Sequence, residues 1–248
     1  MNPAKETITK QHYDKESKFY DKRRFGSPHG RYVNEIEQRM IINELTGHDV
    51  LELCCATGRF AKQIISKGFN YYGIDFSEKM IKEARKKNEK SAKFKVLNVN
   101  NLSQLPKKSF DSIFVSRALK FWNNPQQVID DCHNLLRNQG KLIIHFRSNN
   151  FLPHMFLYYM SNTLKMKKYL NRTKMLNVQG VGTERKYLIS EVVKMMKKGC
   201  FKKICWKSHF NFIFYSVFDN EFIIRMIKKF DNHFNFGQKS MVIGVINR

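Results

Sequence analysis

Between residues 49 and 147 short apolar runs alternate with stretches of helical spacing, and this alternation leaves few folds open. "DVLELCC" (49–55), "NYYGIDF" (70–76), "AKFKVLNV" (92–99), "SFDSIFVSRA" (109–118) and "KLIIHFR" (141–147) have the β-branched and aromatic content of strands. Between them, residues 59–67, "SEKMIKEARKKNEK" (77–90) and "PQQVIDDCHNLLRNQG" (125–140) are spaced as helices. Ser77 stands where an N-cap belongs, with Met80, Ile81 and Ala84 on one face, and Pro125 and Gly140 bracket the last helix. The fourth run is near-continuously apolar, as a buried parallel strand should be, and the alternation of short apolar runs with helices predicts an α/β fold, a parallel sheet covered on both faces.

The flanks are less regular. "KKICWKSHFNFIFYSV" (202–217) and "KSMVIGVINR" (239–248) add two strands as antiparallel neighbours, for seven in all, with a helical excursion at 218–237 between them. Residues 190–201 predict a capped helix ending at Gly199. Residues 5–46 predict two helices joined by "FGSPHG" (25–30), and residues 149–188 have helical apolar spacing without an obvious core strand.

Composition excludes several classes. No run of 18 apolar residues exists, so no spanning helix is expected, and the charged opening "MNPAKETITKQHYDKESKFYDKRRF" argues against a secretory leader. The 5 cysteines are scattered, with no C-x-x-C or Cys/His cluster. Neither a disulfide framework nor a metal site is expected, and a reducing cytoplasm is the natural location. The net charge of +24 has two accounts. It would attract nucleic acid, anionic lipid or an acidic substrate; a lysine-rich composition spread over solvated faces would produce it with no partner at all. No RGG run, basic block or aromatic-basic interleaving accompanies it, which favours composition over nucleic acid.

The chemistry concentrates at strand ends. "VLELCCATGRF" (50–60) lacks the G-x-G-x-x-G of a dinucleotide loop. Its spacing fits acidic-x-G-x-G-x-G, with Glu52, Cys54, Ala56 and Gly58 at the four positions. Asp75 closes the second strand, where a carboxylate can accept both hydroxyls of a ribose lying over the loop. Asn98 closes the third strand, and "SRALKFW" follows the fourth.

With these blocks in order, the chain from about Val50 to Phe146 resembles the class I S-adenosylmethionine-dependent methyltransferases of the type 11 small-molecule group. "VLELCCATGRF", "YYGIDFSEKMIKEARKK", "SFDSIFVSRAL" and "LLRNQGKLIIHF" carry the resemblance. It implies a Rossmann-like, seven-stranded, mostly parallel sheet with an antiparallel last strand, S-adenosylmethionine as cofactor, and a small molecule methylated at O or N. It also implies a helical lid at 1–47, a cofactor-binding core at 48–148, a substrate cap at 149–189 and completion of the sheet over 190–248. Backbone from Cys54 to Gly58 would meet the methionine part of the cofactor. Asp75 would hold the ribose, Phe76 and Met80 the adenine, Asn98 and Val99 its edge, and Ser116 would sit near the methionine. In the lid, which also carries Tyr13, Phe25 and Tyr32, Tyr20 and Arg31 are candidate contacts; helix-packing aromatics are an equal account.

Three departures from the family pattern matter. Cysteine at 54 fits if the backbone there keeps φ negative. Ala56 adds a methyl where glycine is usual, predicting weakened or slightly re-set cofactor binding. Asn98 replaces a frequent aspartate and brings no charge. His145, His154, Tyr187 and His209 are the candidates for a general base, but none is assigned, and His145 on the fifth strand fits a core histidine.

Two other functions stay open: an RNA methyltransferase, suggested by charge alone, and a non-catalytic relative in which Cys54–Ala56 pack a strand end and Asp75 caps a helix. No N-P-P-Y-like run, P-C dipeptide or appended RNA-binding module supports the former. "FLPHMFLYYM" (151–160) could line an apolar acceptor pocket, touch a membrane surface, or pack the cap on the core. Oligomeric state is not legible.

Overall fold

The computed structural model describes residues 3–88, 92–147, 175–178, 182–185, 187–209 and 239–246. Most of the expected cap and the 218–237 excursion lie outside them, as do 210–217 of the sixth expected strand.

The elements are α1 (Pro3–Glu16), α2 (Tyr20–Phe25), α3 (Pro28–Ile42), β1 (Asp49–Leu53), α4 (Ala61–Ser66), β2 (Asn70–Asp75), α5 (Glu78–Lys87), β3 (Lys93–Val96), β4 (Phe110–Ser116), α6 (Pro125–Leu135), β5 (Leu136–Arg147), β6 (Met175–Val178), β7 (Gly182–Arg185), α7 (Ile189–Lys198), β8 (Lys202–His209) and β9 (Lys239–Val245). Seven strands form one sheet in the order β3-β2-β1-β4-β5-β9-β8, and β6 and β7 make a separate hairpin. Strands β1 to β5 run parallel, and β9 is antiparallel to both its neighbours. The expected Rossmann-like sheet is present.

Alternation along the strands feeds two apolar layers. Leu51, Leu53, Ile113 and Val115 pack on one face with Val128, Ile129 and Cys132 of α6 and Val192 and Met196 of α7. Val50, Phe114 and Ile143 pack on the other with Ile41 of α3 and Ile64 of α4. From β1 the chain steps outward to β2 and β3, then returns to β4 on the far side of β1. The loops after β1 and β4 therefore part from each other at the sheet's centre. A crevice at the carboxyl ends of these strands is where ligands bind in such sheets.

Two expected boundaries move. The helix expected over 125–140 stops at Leu135, and β5 already begins at Leu136. Leu136 pairs with Phe110, a bulge shifts the register before Lys141, and Gln139 adopts φ 61°. Backbone bonds from Gln139 N–H to Ile246 O and from Ile246 N–H to Gly140 O draw the segment into the sheet. Sheet pairing thus overrides a favourable helical pattern. The N-terminal region has three helices, not two, because the chain breaks at 17–19. There the Ser17 hydroxyl donates to Asp14 O, and Phe19 leaves helical geometry (φ −111°, ψ 0°). Ser27 caps α3, accepting from Gly30 N–H, with Pro28 at its start.

Candidate active site

A cleft of about 930 Å³, mouth included, opens at the carboxyl ends of β1, β2 and β4. Its floor is the turn after β1. Gly58 has φ +68°, and a Cβ there would lie 2.8 Å from the Phe94 ring, so that position demands glycine. Cys54 and Ala56 also take the left-handed conformation, φ 56° and 49°. This corrects the expectation of negative φ at Cys54: the turn keeps glycine geometry without the glycines. Left-handed backbone costs a side-chain-bearing residue roughly 1–2 kcal/mol, and the surroundings hold it. Cys55 N–H donates to Ile74 O, Gly58 N–H to Cys55 O, and Ala56 N–H to Asp75 Oδ2 at 2.9 Å. Ala56→Gly is accordingly expected to stabilise the protein by about 0.5–1 kcal/mol and to tighten S-adenosylhomocysteine binding severalfold, read by urea denaturation and calorimetry; a destabilised variant would show that the turn is unstrained.

Asp75 is buried, and its Oδ1 accepts from Ser77 N–H at 3.0 Å. Ser77 separately caps α5 by accepting from Met80 N–H. The carboxylate thus braces the turn and still has lone pairs for a ligand in the cleft it lines. Burial pushes its pKa up to about 6, against the lowering pull of the Ser77 and Ala56 N–H donors.

Helix α1 lies over the cleft. Lys10 reaches Glu78, Asp14 accepts from the Ser77 hydroxyl, and Tyr13 meets Phe121 edge-on, ring centroids 5.7 Å apart. Glu6 accepts from Asn98 Nδ2 and, at 3.3 Å, from Asn123 Nδ2. Asn98 Oδ1 already accepts from Asn100 N–H, so its amide is engaged at both ends. The negative charge that Asn98 lacks is supplied from the other side by Glu6. Asn123 Oδ1 and Trp122 Nε1 are buried, line this cleft, and have no hydrogen-bond partner among the described residues. An acceptor and a donor left over in a cleft are what a polar ligand would satisfy.

Of the residues expected at the site, Tyr20, Cys54, Ala56, Asp75, Phe76, Met80, Asn98, Val99 and Ser116 line the cleft together. Three do not. Gly58 faces Phe94 and shapes the turn. Arg31 donates to Gly26 O at 2.6 Å, bracing the start of α3. Glu52 points to a smaller adjoining cavity, shared with Tyr20, Cys54, Ala56, Ser116 and Arg117. There it accepts from the Tyr71 hydroxyl at 2.5 Å, and burial pushes its pKa up to about 8.

Because Glu52 holds its proton in the fold to about pH 8 but loses it near 4.5 when unfolded, it favours folding fully only below about 4.5. That advantage is lost progressively as pH rises to about 8. Glu52→Gln is expected to remove a few kcal/mol of this pH dependence between pH 5 and 9, measured by urea denaturation at both values. An unchanged slope would place the charge elsewhere.

Among the candidate bases, His145 is fully buried with Nδ1 3.2 Å from Ser116 Oγ, and Tyr187 sits in the apolar core. All of His154 and the side chain of His209 lie outside the described residues. Ser116 Oγ accepts from Arg59 at 2.9 Å and shares a second hydrogen bond with His145 Nδ1, whose direction is set by the imidazole tautomer. No base at the cleft follows from this, and none is assigned.

The ion cluster around the smaller cavity escaped sequence reading. Glu37 on α3, with no exposed surface, accepts from Arg59 at 2.8 Å and from Nε and Nη2 of Arg117 at 2.8 and 2.5 Å. Arg59 lies in the quoted "GRF" and Arg117 in "SRALKFW", but their shared carboxylate comes from a distant amphipathic helix with no local signal.

A family model described as a methyltransferase domain matches residues 51–144. An uncharacterised Haemophilus influenzae protein is 31% identical over 122 residues, 45% of this chain and 48% of that protein, so the match spans about half of that relative's length. The ubiquinone biosynthesis O-methyltransferase of Coxiella burnetii is 28% identical over 60% of this chain and 69% of its own. A solved S-adenosylmethionine-dependent methyltransferase of Thermotoga maritima shares the fold, with TM-score 0.64 and 16% identity over 96% of this chain and 98% of that one.

Proposed function

We infer that this chain, a class I S-adenosylmethionine-dependent methyltransferase of the type 11 group through its residues 51–144, methylates a small-molecule acceptor at O or N. The observation that carries this is the cleft itself. A turn with glycine-like geometry, a strand-end carboxylate and buried unpaired polar atoms meet where the strand order reverses. The Coxiella relative's name, an O-methyltransferase of ubiquinone biosynthesis, supports the small-molecule class.

When bound, S-adenosylmethionine supplies a methyl group on a sulfonium, open to in-line displacement. The chain's contribution is to bind and to orient. The turn from Cys54 to Gly58 offers backbone to the methionine part, and Asp75 would accept from the ribose hydroxyls. Phe76 and Met80 would flank the adenine, with Asn98, Val99 and Glu6 at its edge. Tyr20 would close the methionine end; burial raises its pKa, opposed by Arg24, Arg59 and Arg117, so the hydroxyl stays a neutral donor. Helix α1, in the role of a lid, and the aromatics Tyr13, Phe121 and Trp122 exclude water. Incubation with methyl-labelled cofactor and a panel of phenols, amines and carboxylic acids, with bulk RNA beside it, tests this. Label in a small molecule is expected; label in RNA alone would overturn the small-molecule assignment.

A further inference from the structure

We propose that the acceptor carries a carboxylate on an aromatic or otherwise apolar body, and that Arg117 docks it beside the cofactor cleft. This rests on the methyltransferase function above and names its substrate class.

Charge around the smaller cavity does not balance. Arg59 and Arg117 share one carboxylate, Glu37. Both guanidiniums are held in place: Arg59 lies between the rings of Phe25 and Phe60, 4.8 and 4.2 Å from their centroids, and Arg117 is 5.7 Å from the Phe25 centroid. Arg59 also donates to Asn34 and Ser116. It is nearly spent and mostly buried.

Arg117 is different. It follows β4 with φ 64°, its N–H bonded to His145 O, so its side chain leaves the sheet at a fixed angle. Glu37 occupies its Nε–Nη2 edge, and no acceptor among the described residues engages Nη1. Its side chain is about one-third exposed and lines both cavities. A guanidinium presenting its outer edge is matched by a planar carboxylate.

The other ionisable groups lining the two cavities are Glu6, Asp75 and Glu52 against Arg24 and Lys120. Glu52 keeps its proton at neutral pH because burial raises its pKa to about 8. Arg24 is paired with Glu16, so the imbalance lies at the smaller cavity, where two guanidiniums, Arg59 and Arg117, face one ionised carboxylate, Glu37, before any ligand enters. A sulfonium cofactor adds further positive charge, so an anionic acceptor is electrostatically complementary. Tyr13, Phe121 and Trp122 on the same cleft supply faces for an apolar or aromatic body.

The cofactor has a carboxylate of its own, and the test separates the two sources. Wild-type protein saturated with S-adenosylhomocysteine is titrated with benzoate and with benzamide, its uncharged counterpart. Benzoate is expected to bind at least tenfold more tightly, the scale of a charge-assisted hydrogen bond. Arg117→Gln should erase that preference, Arg117→Lys should keep part of it, and in both S-adenosylhomocysteine should bind within about threefold of wild type. Glu37 retains Arg59 in each variant, so the cluster is not emptied.

Equal binding of the two probes to wild type, or binding of neither, overturns the proposal without any variant. So does a large loss of S-adenosylhomocysteine affinity in Arg117→Gln with binding of 5′-methylthioadenosine, which lacks the amino-acid part, unchanged. That result would give Arg117 to the cofactor's carboxylate. Failure of wild type to bind S-adenosylhomocysteine at all would instead overturn the underlying function.

Discussion

Asp75→Ala is expected to weaken S-adenosylhomocysteine binding by about 100-fold at pH 7.5, the loss of two hydrogen bonds to a charged acceptor. Part of the effect runs through the turn. Ala56 N–H loses its acceptor, and its left-handed conformation loses a brace. Asp75→Asn separates the two contributions. Its amide oxygen can keep one backbone bond while the charge is gone, so an intermediate loss is expected.

Titration of the same carboxylate gives a pH signature. With its pKa raised to about 6, Asp75 is ionised above pH 7 and protonated below pH 5. Affinity for S-adenosylhomocysteine should be flat above pH 7 and fall by about tenfold per unit below pH 6. In Asp75→Ala that dependence should vanish. Calorimetry from pH 5 to 8 on both proteins reads it, and a wild-type affinity indifferent to pH would remove Asp75 from the binding site.

Glu37→Ala is expected to be the most destabilising single change among those considered, by roughly 3–5 kcal/mol. The residue is fully buried, and its removal strands two guanidiniums that share no other carboxylate among the described residues. Against a total stability of about 5–15 kcal/mol, the urea midpoint should fall by about 1–2 M. Arg117→Met should cost much less, because Glu37 then keeps Arg59 as a full partner. Equal losses in the two variants would mean that Glu37 acts through packing rather than charge.

What the chain's letters disclosed, and what they hid, follows from how local each determinant is. Strands β1, β2, β4 and β5 were legible because a strand buried on both faces must be largely apolar, and few other segments are; β3, an exposed edge strand with Lys93 and Lys95, was legible from its place in the alternation. Asp75 and Ser77 were legible because strand-end acids and helix caps act on neighbouring backbone. The end of α6 was not: residues 136–140 have helical spacing, and only pairing with Phe110 and Ile246 turns them into strand. The conformation of Cys54 was misjudged because side-chain size says little about φ when Asp75 and Ile74 hold the backbone from outside. Glu6 and Glu37 were missed for one reason. Each sits on an amphipathic N-terminal helix among other charged residues, and each meets its partners only after the chain has folded back, Asn98 and Asn123 for Glu6, Arg59 and Arg117 for Glu37.

The central claim is that a turn built from Cys54, Cys55 and Ala56 serves as a cofactor loop. Calorimetric titration of the wild-type protein with S-adenosylhomocysteine tests it most directly. Saturable one-to-one binding, lost on Asp75→Ala, is the expected result. A folded protein that binds neither S-adenosylhomocysteine nor S-adenosylmethionine would contradict it.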